Sequence, residues 1–474
     1  MSAAPEAVSE PTEADKVAEI VQRARAAMDA YENTDQGRVD EAVTALAWSI
    51  YKPENAKMLA ELAVEDTGLG NVDSKIIKNT RKTFGTLRDL LRAKTVGKIS
   101  EEPEKGLVKY GKPVGVVGAV CPSTNPAATP VNKAMMALKG GNAVIIAPSP
   151  AGAATTKTTV DLMRAELEKA GHPKDLVQIL PSPVSKEMTQ QLMNQCDLAV
   201  VTGSQNNVKR AMQSGTVAIG VGAGNVPVII DSTADLDDAA VKITASKIFD
   251  NSTSCSSENA VVILDDVYED AIAALERAGG WRCSAAEKAN VENTLWINGN
   301  LNRRVIAKDA HVLADVFDLA PDAASRKFFM VEEQEVGGKH GFADEKLSLV
   351  LTVYRARDFA HAKEITQQIL NVTGLGHSVG IHTANADHTR ALAAETDVVR
   401  VLVNQAHTFG NGGSFNNCLP FTLSMGGGTW AGNTISENLN YSHFINVTHL
   451  VTEIAEDKPS EEELFGNHWA KFGK

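Results

Sequence analysis

The sequence has few cysteines and no long apolar runs. Five cysteines are scattered through 474 residues, which is too few for a disulfide framework and indicates a reducing, cytoplasmic compartment. No run of about 18 apolar residues occurs, so no membrane-spanning helix is predicted. Residues 1–15 are rich in Ala, Glu and Pro and lack the apolar core of a signal peptide, which predicts a flexible tail.

Cationic residues are also in short supply. The 46 Lys and Arg residues are outnumbered by 59 Asp and Glu residues, which gives a formal net charge of −13. Proteins that bind phosphate backbones carry a surplus of cations, so this balance argues against nucleic acid and leaves room only for a local anion pocket. Walker A, H-E-x-x-H and zinc-like His/Cys spacings are absent from the sequence, so we predict no metal site.

Apolar periodicity divides the chain into two α/β regions. Residues 16–92 have helical spacing, and from 114 to 230 short β-rich runs alternate with helical segments. A second alternating series starts near Asp231. Alternating strands and helices indicate parallel sheets, in which ligands bind at the carboxyl ends of the strands. The predicted fold class is therefore α/β with two domains.

Cys255 is the strongest candidate for a reactive residue. It lies in Asn251-Ser-Thr-Ser-Cys-Ser-Ser-Glu-Asn259, among hydroxyl residues and beside nothing bulky. A nucleophilic thiol requires partial access and nearby amide donors, which this setting favours. The alternative is a small core cysteine, the usual state of a lone cysteine. Cys121, which ends a strand before Pro122, is the main rival.

Two strand-end segments add weaker signals. Asn125, in Pro122-Ser-Thr-Asn-Pro126, could donate its amide to an oxyanion, although Asn before Pro is also common in turns. Thr202-Gly203-Ser204 stands between a strand and a helix and could face a pyrophosphate. A complete G-x-G-x-x-G motif is absent, so this signal alone is not specific.

Taken in order, several blocks carry a resemblance to a known family. They are Pro113-Val-Gly-Val-Val-Gly118 with Pro122–Pro126, Thr202-Gly-Ser204, Ala218-Ile-Gly-Val-Gly-Ala-Gly-Asn225, Phe249–Glu258, Glu345-Lys-Leu-Ser348, Gly374-Leu-Gly-His377 and Gly426–Asn438. Nearly the whole chain after its N-terminal tail resembles the aldehyde dehydrogenase superfamily, and more closely its coenzyme-A-acylating branch. The stretch Val403–Asn417 is similar to acylating succinate-semialdehyde and sulfoacetaldehyde dehydrogenases.

The resemblance implies roles for individual residues. Cys255 matches the nucleophile, Asn125 the oxyanion amide, and His377 a histidine near the acylating site, for which a structural role is an equal alternative. Glu345 matches the carboxylate that holds the nicotinamide-side ribose. Further matches to NAD(P)-contacting positions are Ala119, Pro122, Ser123, Thr124, Ser149, Ser204, Gly222, Met425, Gly428, Thr429, Trp430 and Asn433.

The acyl acceptor follows from a missing side chain. Hydrolytic members of the family place a glutamate at the position that Gly220 matches, where it activates water. Without a positioned base water attacks a thioester poorly, whereas a thiol with a pKa near 8.5 brings its own nucleophilicity. We therefore expect coenzyme A as cosubstrate and an acyl-CoA as product. The alternatives are a hydrolytic aldehyde dehydrogenase that yields the free acid, and a non-catalytic scaffold protein.

Only a few residues indicate the substrate and the cofactor. Hydroxyls at Thr253, Ser254 and Ser414 could bind a small anionic head, so we expect sulfoacetaldehyde first and succinate semialdehyde next. The resemblance matches Ala147-Pro-Ser-Pro150 to a strand end at which NAD-preferring relatives carry a glutamate. Because Pro150 offers no carboxylate to repel a 2′-phosphate, we expect NADP to be accepted, with NAD also open.

The resemblance also implies an organisation of the chain. We expect an NAD(P)-binding domain over 16–230, completed by 425–455, and a catalytic domain over 231–424. Residues 1–15 and 456–474 are predicted tails. Short β segments near 97–110 and near the C-terminus are expected to join copies into a homo-oligomer, a dimer or a tetramer.

Overall fold

A computed structural model describes residues 11–32, 34–338 and 341–474. The first helices confirm the predicted helical region: α1 Glu13–Asp29, α2 Gln36–Tyr51, α3 Pro53–Thr67, α4 Val72–Ile77 and α5 Thr83–Leu91. Between α4 and α5 the chain forms a π-helical turn, Lys78–Lys82. The predicted tail at 1–15 is wrong for its last residues, because Thr12 forms a capping box with Asp15 and starts α1. Residues 1–10 of that prediction lie outside the described residues.

A parallel sheet forms the core of the first domain. Its order is β5-β4-β3-β6-β7, with β3 Val116–Val120, β4 Ala143–Ala147, β5 Val177–Ile179, β6 Leu198–Thr202 and β7 Val217–Val221. The connecting helices are α6 Ala128–Lys139, α7 Ala153–Lys169, α8 Lys186–Gln195 and α9 Gln205–Met212. Helices α1 and α2 share the core of this sheet. All carboxyl ends point the same way, so the loops after β3, β4 and β6 meet at one edge.

A second parallel sheet forms the other domain. Its order is β10-β13-β14-β9-β8-β15-β16, with β8 Val226–Ile230, β9 Glu258–Leu264, β10 Gly280–Arg282, β13 Phe328–Glu333, β14 Val350–Ala356, β15 Val379–His382 and β16 Val401–Val403; a short hairpin, β11 Trp296–Ile297 and β12 Asn300–Leu301, lies outside it. Its helices are α10 Leu236–Ile248, α11 Tyr268–Ala278, α12 Ala285–Leu295, α13 Ala310–Val316, α14 Phe359–Val372, α15 Ala386–Glu395 and α16 His407–Gly410.

Neighbouring residues of the second sheet belong to different cores. Val261 and Ile263 of β9 pack in one apolar cluster, whereas Val262 packs in another. The sheet is therefore buried on both faces, as all-parallel sheets are. This explains why its strands read as continuous apolar runs.

The predicted domain boundary at 230/231 is wrong by one strand. β8 pairs with β9 and β15, so the chain passes to the second sheet between Val221 and Val226. The sequence of β8 gave no sign of this, because a fully buried strand looks alike in either sheet.

The C-terminal part returns to the first domain. A three-stranded antiparallel sheet joins β1 Gly97–Glu102 and β2 Leu107–Pro113 to β17 Ile445–Val451. Phe444, just before β17, is buried in the core of the first domain. The end of the predicted tail at 456–474 is a helix, α17 Glu461–Phe472, in which no residue is buried.

Candidate active site

The residues before Cys255 have an unusual backbone. Asp250, Asn251 and Ser252 all have positive φ angles, 50°, 53° and 66°, which costs energy for residues other than glycine. Hydrogen bonds hold this segment: the Asn71 amide donates to Asp250 Oδ1 over 3.0 Å, and the Asp250 amide donates to Ser74 Oγ over 3.0 Å. The strained segment sets the direction in which Cys255 enters the turn before β9.

Cys255 lies against Gly224 and His377. A Cβ built on Gly224 would stand 2.3 Å from the carbonyl oxygen of Cys255, 2.9 Å from its Cβ and 2.9 Å from His377 Nε2. Only glycine fits at 224, and its absent side chain allows the thiol and the imidazole to approach the same point. The glycine that lies against Cys255 is thus Gly224. A Cβ on Gly220 would instead meet Val208 of α9 at 2.6 Å.

The thiol is protonated in this environment. Burial and the nearby Glu345 carboxyl raise the pKa of Cys255 to about 11, against the opposing effects of Ser256 and of the Arg400 guanidinium. Burial and Asp344 raise the pKa of Glu345 to about 8, although the Gly224 amide hydrogen-bonds to its carboxylate. Both groups are therefore mainly neutral at pH 7.

His377 begins a chain of buried polar groups. Its Nδ1 lies 2.8 Å from Ser378 Oγ, which lies 2.9 Å from His407 Nε2. Burial, with help from Arg400 and His407, holds the pKa of His377 well below its usual range. Its buried Nε2 has no hydrogen-bond partner. The imidazole is therefore neutral and presents a free nitrogen beside Cys255.

Asn125 is also left free to act. Its Oδ1 is buried without a partner, and its Nδ2 makes only a long contact of 3.4 Å to Thr124 Oγ1. Asn125 lines a pocket together with Ser254 and Ser256, which flank Cys255. We call this the thiol pocket. The side-chain amide of Asn125 is available there to a group bound to the Cys255 sulfur.

Three cations of the thiol pocket were not predicted from the sequence. Lys78, Arg81 and Lys82 line it from the π-helical turn. They carried no local signal, because charged residues in a helical region usually face solvent. π-helical turns are rare in proteins as a whole, but those that occur are often found at functional sites. The sequence pattern does not predict one here.

A second cleft lies at the carboxyl ends of β3, β4 and β6. It is lined by four of the predicted cofactor residues, Pro122, Ser123, Ser149 and Ser204. Lys186, Lys209 and Arg210 also line it, and none of its described lining residues is acidic. We call it the nucleotide cleft. Ser204 caps the N-terminus of α9, so free amides and a positive helix end face this region.

The other predicted cofactor residues are placed differently. Ala119 is buried in the middle of β3, so its side chain belongs to the core. Met425 lines the thiol pocket, with its sulfur 3.3 Å from Ser256 Oγ. A Cβ on Gly222 would meet the Gln205 side chain at 2.3 Å.

A glycine-rich loop, 426–433, contains four more of the predicted cofactor residues: Gly428, Thr429, Trp430 and Asn433. Asn433 Oδ1 accepts the Gly427 amide over 2.9 Å, so its side chain shapes the loop. Gly428 has a φ of +63°, and Thr429 and Trp430 start a short turn in which Trp430 is 47% exposed. The loop packs on Gly376, whose added Cβ would meet the Gly427 oxygen at 2.1 Å. It therefore lies next to His377.

Two of the three predicted substrate hydroxyls are used within the protein. Thr253 Oγ1 donates to Asp250 Oδ2 over 2.8 Å and accepts from Lys78 over 3.0 Å, so it has no hydrogen left for a substrate anion. Ser414 Oγ donates to Asn416 and accepts from Arg81 over 2.9 Å. Ser254 lines the thiol pocket. Thr253 therefore supports the ion pair of Lys78 and Asp250, and Ser414 positions Arg81; contact of either hydroxyl with substrate stays a prediction.

The described residues contain neither a cluster of metal ligands nor a membrane-spanning helix. Within the described ranges, His, Cys, Asp and Glu side chains form no group that could hold a metal ion. Across the same ranges, none of the helices has the length and apolar character needed to cross a membrane.

The fold and the site together define a class of protein. It is an α/β oxidoreductase with two parallel-sheet domains. The chain belongs to the aldehyde dehydrogenase family, whose family model matches residues 6–292.

Curated relatives support a particular branch. The chain is 50% identical over 462 residues to sulfoacetaldehyde dehydrogenase (acylating) of Cupriavidus necator, covering 97% of this chain and 94% of the relative. It is 37% identical to succinate-semialdehyde dehydrogenase (acetylating) of Clostridium kluyveri, covering 95% and 99%. The resemblance to these acylating dehydrogenases is confirmed.

Solved structures agree with the fold. An acetylating aldehyde dehydrogenase from Geobacillus thermoglucosidasius superposes with a TM-score of 0.90 at 33% identity, covering 94% of this chain and 98% of the other. A propionaldehyde dehydrogenase from Rhodopseudomonas palustris, solved with bound CoA and an acylated cysteine, gives 0.81 at 25% identity, covering 92% and 97%. The predicted two-domain fold is confirmed.

Proposed function

We propose that the protein catalyses the reversible oxidation of a small anionic aldehyde to its acyl-CoA with NADP⁺ or NAD⁺. The observation that carries this proposal is the position of Cys255 beside the unpartnered His377 Nε2, with Asn125 lining the same pocket as the neighbours of Cys255, Ser254 and Ser256. The acylating relatives support sulfoacetaldehyde as the favoured substrate, with succinate semialdehyde next.

The residues of the site divide the chemistry between them. Cys255 loses its proton and its sulfur bonds to the aldehyde carbon, while His377 Nε2 is placed to accept that proton. The Asn125 amide donates to the oxyanion of the resulting thiohemiacetal. A dinucleotide bound in the nucleotide cleft would supply the acceptor for the hydride that leaves the substrate carbon, which turns the thiohemiacetal into a thioester of Cys255. The thiol of coenzyme A then displaces the Cys255 sulfur and leaves as an acyl-CoA.

The nucleotide cleft fits a dinucleotide. Ser204 and the N-terminus of α9 suit a pyrophosphate, and Lys186 and Lys209 supply positive charge on a rim without acidic lining. Glu345 would hold the nicotinamide-side ribose through its carboxyl group. The cations favour acceptance of NADP⁺, whose 2′-phosphate meets no carboxylate there.

The choice of acyl acceptor depends on Glu345. Positions 220, 222 and 224 are glycines and offer no side-chain base. Glu345 acts electrostatically on Cys255, so it is the candidate base for a hydrolytic enzyme. Its pKa of about 8 leaves a minority of it as the carboxylate at pH 7, and a propionaldehyde dehydrogenase of the same fold has been solved with CoA bound and its cysteine acylated. We therefore favour coenzyme A over water.

A panel assay tests the proposed function. Purified protein is incubated with sulfoacetaldehyde, succinate semialdehyde or propanal, with either dinucleotide, in the presence and absence of coenzyme A. Reduced nicotinamide and acyl-CoA should form together and only with coenzyme A. Free acid formed without coenzyme A would identify a hydrolytic enzyme, and no turnover of any aldehyde would favour a scaffold protein.

Assembly and compartment belong to the same proposal. β17 is an edge strand of its sheet and exposes Leu450 and Val451, which suits pairing with another copy of the chain. We propose a homo-oligomer, a dimer or a tetramer, joined through this sheet. All five cysteines are unpaired, which supports a reducing, cytoplasmic setting.

A further inference from the structure

The thiol pocket carries more positive charge than the protein neutralises. Lys78, Arg81 and Lys82 lie at positions i, i+3 and i+4 of one turn, so they share a face, and all three line the pocket. None of the described residues that line it is acidic. In a chain with a net charge of −13, such a local surplus of cations requires an explanation.

Lys78 is accounted for by the fold. Its Nζ lies 2.5 Å from Asp250 Oδ2, and the same oxygen accepts Lys75 Nζ over 3.1 Å. One carboxylate thus serves two buried lysines. Lys78 supports the Cys255 segment, and no free acid remains in this cluster for the other two cations.

Arg81 and Lys82 have no carboxylate partner among the described residues. Arg81 donates to Ser414 Oγ over 2.9 Å, and its Nε is buried without a hydrogen-bond partner. Lys82 Nζ donates to the Gly412 carbonyl over 2.8 Å. Burial and the neighbouring cations Arg81 and Lys78 lower the pKa of Lys82 to about 7, so an anion that enters the pocket would favour the charged form of this lysine.

The guanidinium of Arg81 is held in place in advance. It lies 5.8 Å from the ring centroid of Phe409, 5.2 Å from that of Phe415 and 5.8 Å from that of Phe421. These contacts and Ser414 limit its motion, which lowers the entropy lost on binding. Its planar fork suits the oxygens of a sulfonate or a carboxylate.

We propose that Arg81 and Lys82 bind the negatively charged head of the aldehyde whose carbonyl carbon is held at Cys255. This inference rests on the proposed function and names the residues that select its substrate class. Ser254 and Ser256 line the same pocket on either side of the nucleophile, so head and carbonyl of one small molecule occupy a single cavity. The pocket is distinct from the nucleotide cleft, whose cations are Lys186, Lys209 and Arg210.

The test compares a charged and a neutral substrate. The ratio of kcat/KM for sulfoacetaldehyde to kcat/KM for propanal, both with coenzyme A, should fall about 10- to 100-fold in Arg81→Gln, because charge-assisted hydrogen bonds are lost. Lys82→Met should lower the ratio about 10-fold. Arg88→Gln is the matched control: Arg88 lies over Phe415 and Phe421 but pairs with Asp89 and does not line the pocket, so the ratio should stay unchanged.

A dead-end ligand gives an independent readout. Ethanesulfonate should compete with propanal in the wild-type enzyme and lose most of its inhibition in Arg81→Gln, while Arg81→Lys should retain part of it. Equal losses on both substrates, or a raised KM for coenzyme A with an unchanged ratio, would overturn the inference.

Failure of the proposed function has a different signature. In that case the wild-type protein oxidises neither aldehyde, and calorimetric titration of ethanesulfonate into wild type and Arg81→Lys still decides whether the pocket binds the anion. If Arg81→Gln does not fold, Lys82→Met and Arg81→Lys give the same comparison.

Discussion

Lys78 Nζ and Asp250 Oδ2 lie 2.5 Å apart, and almost nothing of either side chain reaches solvent. The two residues are 172 positions apart in the sequence. Their contact joins the turn after α4 to the strained segment that presents Cys255. The buried ion pair therefore connects the first helices to the nucleophile.

Replacing Asp250 tests this connection. Asp250→Asn leaves Lys75 and Lys78 buried without a carboxylate, so we expect a loss of about 3–5 kcal/mol in the free energy of unfolding, together with a loss of activity. Chemical denaturation and kcat measure the two effects. Asp238→Asn, which removes an exposed pair with Lys242, should cost less than about 1 kcal/mol. Equal effects of the two changes would contradict the prediction.

This pair also shows where sequence reasoning reaches its limit. Cys255, Asn125 and the residues of the nucleotide cleft were found because small polar segments that follow buried strands have a local pattern. Lys78, Arg81 and Lys82 have none, since their role depends on a contact with a distant segment. The contact of Thr253 with Lys78 could not be predicted for the same reason. The predicted domain boundary near β8 was wrong because the composition of a buried strand does not indicate which strands it pairs with.

Gly224 should tolerate no side chain. In Gly224→Ala the new Cβ would lie 2.3 Å from the Cys255 carbonyl oxygen, so the nucleophile must shift. A displacement of about 1 Å can cost about 100-fold in rate, and we expect a loss of kcat of that order. Gly337→Ala, at an exposed position with nothing within 4 Å, is the matched control. Wild-type kcat in Gly224→Ala would show that the close contact has no effect on catalysis.

The rim of the nucleotide cleft should distinguish the two dinucleotides. The double change Lys186→Ala and Lys209→Ala removes cations that suit a 2′-phosphate, so KM should rise about 10-fold for NADP⁺ and much less for NAD⁺. Steady-state kinetics with both dinucleotides measure the difference. Lys157→Ala, on the exposed face of α7 and paired with Asp161, should change neither value. An equal rise in KM for both dinucleotides would mean that these lysines bind the pyrophosphate, which NAD⁺ and NADP⁺ have in common.

Glu345 should make dinucleotide binding depend on pH. Burial raises the pKa of its carboxyl to about 8, with Asp344 raising it further and the Gly224 amide and Lys346 opposing the shift. Ionisation therefore increases between about pH 6 and about pH 9, and the carboxylate accepts hydroxyl hydrogen bonds better than the neutral acid. KM for the dinucleotide should fall over this interval in the wild type. In Glu345→Gln the KM for the dinucleotide should not vary with pH and should be higher than in the wild type at about pH 9. If KM in this variant still falls with pH as in the wild type, the titrating group is a different residue.

Two cysteines distinguish a nucleophile from a core thiol. Burial raises the pKa of both Cys255 and Cys121 to about 11, so acidity alone does not separate them. Their positions do separate them. Cys255 lies beside His377 Nε2, whereas Cys121 is 3% exposed and directs its thiol at the Ala119 carbonyl over 3.8 Å.

Replacing each cysteine with serine tests this difference. Cys255→Ser should lose about 10⁴-fold or more in kcat because a hydroxyl is a much weaker nucleophile, and Cys121→Ser should keep most of its kcat. Intact mass measured after aldehyde and dinucleotide are added without coenzyme A should show one acyl group on the wild type and on Cys121→Ser, and none on Cys255→Ser. An acyl group retained by Cys255→Ser would place the covalent step on another residue.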